Sequence, residues 1–146
     1  MMEGKSPFPC LVRDKKMAES LRIVIVDDQN YMRTMLKTAL VSSGYDVVGM
    51  AADGLEAIEV YRKEQPDFIL LDVNMPRMGG EEALAAILAE APSASAIMLT
   101  ADLESIERCL KTGAVGFVRK DTTLPELIGS LREAFEQRKT GGSCNA

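Results

Sequence analysis

The stretch Phe68-Ile69-Leu70-Leu71-Asp72 runs four apolar residues straight into a carboxylate, and Val73-Asn74-Met75-Pro76 follow before Gly79-Gly80. An apolar run without polar alternation is the pattern of a strand buried on both faces, as in a parallel sheet covered by helices. A charge at the end of such a strand is placed rather than incidental, because ligands of open α/β sheets bind outside the strands' carboxyl ends. The same pattern occurs from Leu21 to Val26, which leads directly into Asp27-Asp28. Two strands thus end in acids.

The rest of the chain alternates. From about Asn30, Met32, Met35, Leu36 and Ala39 recur at helical spacing, and Gly44 suits the stop. Asp46 to Ala51 reads as a strand and Leu55 to Gln65 as a helix ended by Pro66. After the Phe68 strand, Leu84, Ile87, Leu88 and Ala91 form a helical stripe that Pro92 closes. Ala96 to Leu99 is a buried strand ending in Thr100, and the next helix carries Leu103, Ile106 and Leu110 before Gly113. A fifth strand, Val115 to Val118, leads to Arg119-Lys120. The last helix opens with Thr123 and Glu126 in capping-box spacing and Pro125 in its first turn; it buries Leu127, Ile128, Leu131, Ala134 and Phe135. Strands alternating with helices in this way imply an α/β fold, a doubly wound five-stranded parallel sheet with five helices on two faces. In the flavodoxin-like order 2-1-3-4-5 the bland strand end Ala51-Ala52 falls at the edge, and the acids meet at the switch point between strands one and three.

Composition bounds the function. A chain of 146 residues suits one domain: residues 20–139, with flexible tails expected at 1–19 and 140–146. The net charge of -5 argues against the basic surface that direct nucleic acid binding requires. Cys10, Cys109 and Cys144 have no metal-ligand spacing and read as free thiols in a reducing compartment. No apolar stretch approaches the ~18 residues of a membrane span, and the N-terminus lacks a signal peptide's apolar core, so a cytoplasmic protein without membrane insertion is expected.

The polar strand ends, Asp27, Asp28, Asp72, Thr100 and Lys120, define the chemistry. Carboxylates crowded in one crevice repel unless a cation compensates, and oxygen ligands suit a hard ion such as Mg²⁺. A hydroxyl and an ammonium beside Asp72 complete a site where a carboxylate could attack a phosphoryl group in line. The chain contains no histidine, so it is not the phosphohistidine partner of a relay.

These residues, in this order and at strand ends, resemble the receiver domain of two-component response regulators, and the resemblance covers about Leu21 to Lys139. It implies that Asp72 is the phospho-acceptor and that Asp27 and Asp28, with Asp72 and the backbone carbonyl of Asn74, bind Mg²⁺. It likewise implies that Thr100 is the switch hydroxyl, Lys120 its phosphoryl-binding companion and Phe117 the switch aromatic. The implied partners are a sensor histidine kinase or histidine phosphotransfer protein, and a downstream protein on the face of the fourth helix, fifth strand and fifth helix; a phosphorylation-dependent dimer stays open. Asp121 stands where the family commonly has proline, and Lys-Asp resembles receivers joined to helix-turn-helix domains. A stand-alone receiver is expected over a receiver fragment of a DNA-binding regulator. Two other readings remain: a constitutive interaction module, and an aspartyl-phosphate phosphatase, which usually places a second acid where Asn74 lies. Simpler roles also compete at each position. Asp27 and Thr100 could cap the helices that follow them, Lys120 could be solvated, and Phe117 could be a core aromatic. Asn74 and Asp102 could be plain loop residues or tune phosphoryl lifetime.

Overall fold

The apolar runs pair with one another as central strands. The computed structural model describes residues 21–75 and 77–145, and the expected tail at 1–19 lies outside the described residues. Strands β1 (Arg22–Val26), β2 (Asp46–Ala51), β3 (Phe68–Asp72), β4 (Ala96–Thr100) and β5 (Gly116–Arg119) form one parallel sheet in the order β2-β1-β3-β4-β5. Helices α1 (Asn30–Ser42), α2 (Gly54–Glu64), α3 (Gly80–Glu90), α4 (Leu103–Thr112) and α5 (Leu124–Asn145) are the crossovers and the closing element. The doubly wound architecture follows from the strand runs, since parallel neighbours must be joined over a sheet face.

Alternate residues of each strand supply the two halves of the core. Val24, Val26, Ile69, Leu71, Ala96 and Met98 meet Ala57, Ile58, Ala83, Leu84, Ile87 and Cys109 on the α2–α3–α4 side. Ile23, Ile25, Phe68, Leu70, Ile97, Leu99 and Val118 meet Met32, Leu36, Leu40, Leu127, Leu131 and Phe135 on the α1–α5 side. Burying each large aliphatic side chain contributes about 1.5–3 kcal/mol, so a run apolar at every position is needed to hold both layers. Phe135 closes the second half, its ring centroid 4.7 Å from Phe68 and 5.0 Å, edge to face, from Tyr45.

Several expected positions move. Met35 and Leu110 are exposed, and the core rows are instead Met32, Leu36 and Leu40 on α1 and Ile106 and Cys109 on α4. The first row follows the i, i+4 ridge, which periodicity alone could not distinguish from the neighbouring i+3 row. Strand β5 begins at Gly116 rather than Val115 and includes Arg119, because Arg119 is in register with Thr100. Helix α5 continues to Asn145 instead of ending near Lys139; glycine weakens a helix but only proline excludes its hydrogen bond. No described helix is long and apolar enough to cross a membrane.

Candidate phosphoryl-acceptor site

Register brings the polar residues together. Val26 pairs with Leu71, so the next residues up these strands are Asp27 and Asp72. Asp72 is in turn opposite Leu99 and Thr100 opposite Arg119, which sets Thr100 and Lys120 one step higher on the neighbouring strands. The backbone continues this zipper past the strands through Val73 N–H to the Leu99 carbonyl (3.1 Å) and Lys120 N–H to the Thr100 carbonyl (3.0 Å). Directly after Asp72 the chain must turn under α3. Gly80 is required there, since a Cβ would lie 2.3 Å from the Asp72 carbonyl oxygen.

Lys120 joins two of the acids. Its Nζ donates to Asp27 Oδ2 at 2.9 Å and lies 3.3 Å from Asp72 Oδ2, with the lysine side chain 19% exposed. Asp27 is fully buried and also accepts from the Gln29 N–H (2.9 Å), while Arg33 ties down its carbonyl. The helix cap of α1 is therefore Gln29, not Asp27. Asp28 is exposed, and carboxylate oxygens of Asp27, Asp28 and Asp72 all lie within 4.8 Å of one another. Asp28, Gln29, Asp72, Asn74, Thr100, Ala101, Lys120 and Asp121 line a crevice of about 400 Å³.

The electrostatics follow from this crowding. Asp72 is 3% exposed; burial first, then the Asp27 charge, push its carboxyl up to about 6, against the opposing pull of Lys120 and the Asn74 N–H. Burial alone would lower the Lys120 ammonium, but its bond to Asp27 and the charges of Asp72 and Asp27 prevail and raise it. Lys120 thus stays charged, and its single ammonium engages two of the three clustered carboxylates.

The remaining candidates separate. Thr100 is buried; its hydroxyl accepts from the Asp102 N–H at 2.9 Å, linking the crevice to the start of α4. Asp102 itself caps α4, accepting from Glu104 N–H (3.1 Å) and the Ser105 hydroxyl (2.8 Å), and does not line the crevice. Asn74 lines the crevice and donates its N–H to Asp72 Oδ1 at 3.3 Å. Phe117 is 41% exposed on β5 and outside the buried core, so it is not a core aromatic. The Lys120–Asp121 peptide is trans, and Asp121 is held by a two-pronged Arg119 pair at 3.0 and 2.6 Å. One residue escaped the reading of the sequence: Asp53, buried two positions beyond the bland Ala51, caps α2 and ion-pairs with Arg77 in the loop after Asp72. Its signal was the capping spacing Asp53-Gly54-Leu55-Glu56.

Comparison with known proteins agrees with this geometry. Residues 23–132 match the response regulator receiver domain family. The chain is 40% identical over 116 residues to the chemotaxis protein CheY of Listeria monocytogenes, covering 78% of this chain and 98% of that one. It is 38% identical to CheY of Thermotoga maritima, over 77% of this chain and 95% of that one. A CheX–CheY–BeF3–Mg+2 complex from Borrelia burgdorferi superposes with a TM-score of 0.73 at 28% identity, over 79% of this chain and 89% of that chain. The response regulator domain of Thermotoga maritima CheB gives 0.71 at 35% identity, over 81% and 98%. With its sheet order, its acid-lined switch point and a match spanning most of its length, the chain belongs to the response regulator receiver domain family.

Proposed function

We propose that this receiver takes a phosphoryl group onto Asp72 from the phosphohistidine of a sensor kinase or phosphotransfer protein, or from a small phosphodonor, and thereby switches its affinity for a protein partner in the cytoplasm. The observation that carries this reading is the placement of Asp72: nearly buried, at the floor of the crevice, with its carboxylate 3.3 Å from the Lys120 ammonium and beside two further acids. A carboxylate raised only to about 6 is ionised at neutral pH and remains a competent nucleophile. Its oxygen attacks phosphorus, the phosphorus–nitrogen bond of the donor breaks, and the imidazole leaves, so the chain gains an acyl phosphate. Lys120 stands ready to neutralise the incoming phosphoryl oxygens, giving up its contact with Asp72.

The acid cluster fits a hard divalent cation, because oxygens of three carboxylates lie within 4.8 Å of one another, Lys120 engages only two of them, and Asp28 remains open to the crevice. Asp27, Asp28 and Asp72, with the Asn74 carbonyl, would hold Mg²⁺, and the CheX–CheY–BeF3–Mg+2 relative supports this assignment. When bound, Mg²⁺ supplies charge neutralisation for the attacking carboxylate and the phosphoryl oxygens. Thr100 is the residue through which the state of Asp72 reaches the surface. If its hydroxyl turns to a phosphoryl oxygen, the Asp102 N–H loses its acceptor and the first turn of α4 is freed. The exposed Phe117 and the α4, β5 and α5 face would then present an altered surface to the downstream partner. Borohydride reduction of the labelled protein, which converts an acyl phosphate to homoserine, followed by peptide mass mapping tests the acceptor: the change is expected at Asp72 alone, and a change at Asp27 or Asp28 instead contradicts the assignment.

A further inference from the structure

The geometry points to Asp53 and Arg77 as positioning residues for the crevice, a tether that holds the segment after Asp72 in the conformation that places Asn74 beside the acids. Arg77 Nε donates to Asp53 Oδ2 at 3.0 Å, and its Nη2 ion-pairs with the same oxygen. The other oxygen, Oδ1, accepts from Glu56 N–H at 3.0 Å, so one buried carboxylate links the start of α2 to the loop. Next to it, Gly54 N–H donates to the Met78 carbonyl at 3.0 Å, and a Cβ on Gly54 would lie 2.6 Å from the Met78 side chain. Arg77 itself sits in the left-handed region, φ 64°, which is uncommon for a non-glycine residue and is here accompanied by the Asp53 contacts. The Arg77 bond, followed by that of Glu56 N–H, keeps the Asp53 carboxyl below its ordinary value, so it is charged throughout the neutral range.

The tether reaches the acceptor from both ends of the loop. Upstream, Asn74 N–H is bonded to Asp72 Oδ1; downstream, Gly80 N–H is bonded to the Val73 carbonyl at 3.0 Å. With its middle pinned at Arg77 and Met78, the segment carrying Asn74 has little freedom to leave the crevice. Released, the segment samples other conformations, and any ligand that needs the Asn74 backbone binds more weakly by the cost of suppressing them. This rests on the proposed Mg²⁺ site only for its consequence, not for the tether itself.

Arg77→Gln is the direct test, because Arg77 is exposed and its change leaves the Asp53 cap of α2 in place. Hydrogen exchange in EDTA, where no metal enters, is expected to be at least about 5-fold faster at the Asn74 and Gly80 amides in Arg77→Gln than in wild type. Titration with Mg²⁺ by calorimetry is expected to show roughly 3- to 10-fold weaker binding in Arg77→Gln and in Asp53→Asn, with the double variant no weaker than either single one. Arg62→Gln, which breaks the α2–α3 pair with Glu90 instead, should change neither readout. Unchanged exchange in Arg77→Gln overturns the tether whatever the metal does. Faster exchange with Mg²⁺ affinity within about twofold of wild type overturns its positioning role. Faster exchange with a wild type that binds no Mg²⁺ supports the tether and overturns the metal site.

Discussion

Replacing Asp72 by Asn should stabilise the protein, although it removes a central residue of the site. The Asp72 carboxyl is held at about 6 against an ordinary 3.8, chiefly by burial and then by the Asp27 charge. Between those values the folded state binds more protons than the unfolded one, so this group's contribution makes stability fall as pH rises from about 4 to 6, and the full penalty stands above that window. The difference between 3.8 and about 6 corresponds to about 3 kcal/mol. Relaxation and the open side of the crevice reduce the expected gain to about 2 kcal/mol. For a domain of this size that is a rise in Tm of roughly 6–8 °C. Urea unfolding of both proteins in EDTA at about pH 7.5, 6 and 4.5 measures it. The gain should be largest at the highest of these pH values and shrink steadily toward the lowest. An Asp72→Asn protein no more stable than wild type at the highest pH, or a gain that grows as pH falls, would refute the view of Asp72 as a strained carboxylate.

Three further outcomes are expected. Lys120→Met leaves Asp27 and Asp72 buried without their shared cation. It should cost about 2–4 kcal/mol in urea unfolding at about pH 7.5 and less at about pH 5, where Asp72 can take a proton; an equal loss at both would contradict it. Phe135→Ala, which empties a fully buried site against Phe68 and Tyr45, should cost about 3–5 kcal/mol without affecting labelling of Asp72 by a phosphodonor. Thr100→Ala removes the acceptor of the Asp102 N–H and should cost about 1 kcal/mol. It should also abolish any phosphodonor-dependent change in hydrogen exchange at the first turn of α4, and a change of wild-type size would show that the signal leaves the crevice by another route.

The fold was legible because three strands, β1, β3 and β4, are apolar at nearly every position, and only a sheet covered on both faces buries such runs. The site was legible for a related reason: Asp27, Asp72, Thr100 and Lys120 each end or directly follow a strand, so sheet order alone brings them together. What the linear pattern could not give was pairing in space. Lys120 bonds to Asp27 at 2.9 Å and lies 3.3 Å from Asp72, a difference in closeness that strand position does not encode. Asp53 went unread because its strand end was judged by Ala51 and Ala52, and its partner Arg77 lies across a loop. Asp102 follows the crevice in sequence, yet its side chain turns back to cap α4. The misplaced Met35 and Leu110 show the same limit from the side of packing. A helical period identifies a row of apolar residues, but the neighbouring helices and strands decide which of two adjacent rows faces inward.

The most direct test of the central claim is the intact mass of the protein after incubation with acetyl phosphate, with and without Mg²⁺, for wild type and Asp72→Asn. A gain of one phosphoryl group, about 80 Da, in wild type with Mg²⁺ and in neither control is the expected result. A wild type that gains no mass under any condition, or an Asp72→Asn protein that gains it equally, would contradict the assignment of Asp72 as the acceptor.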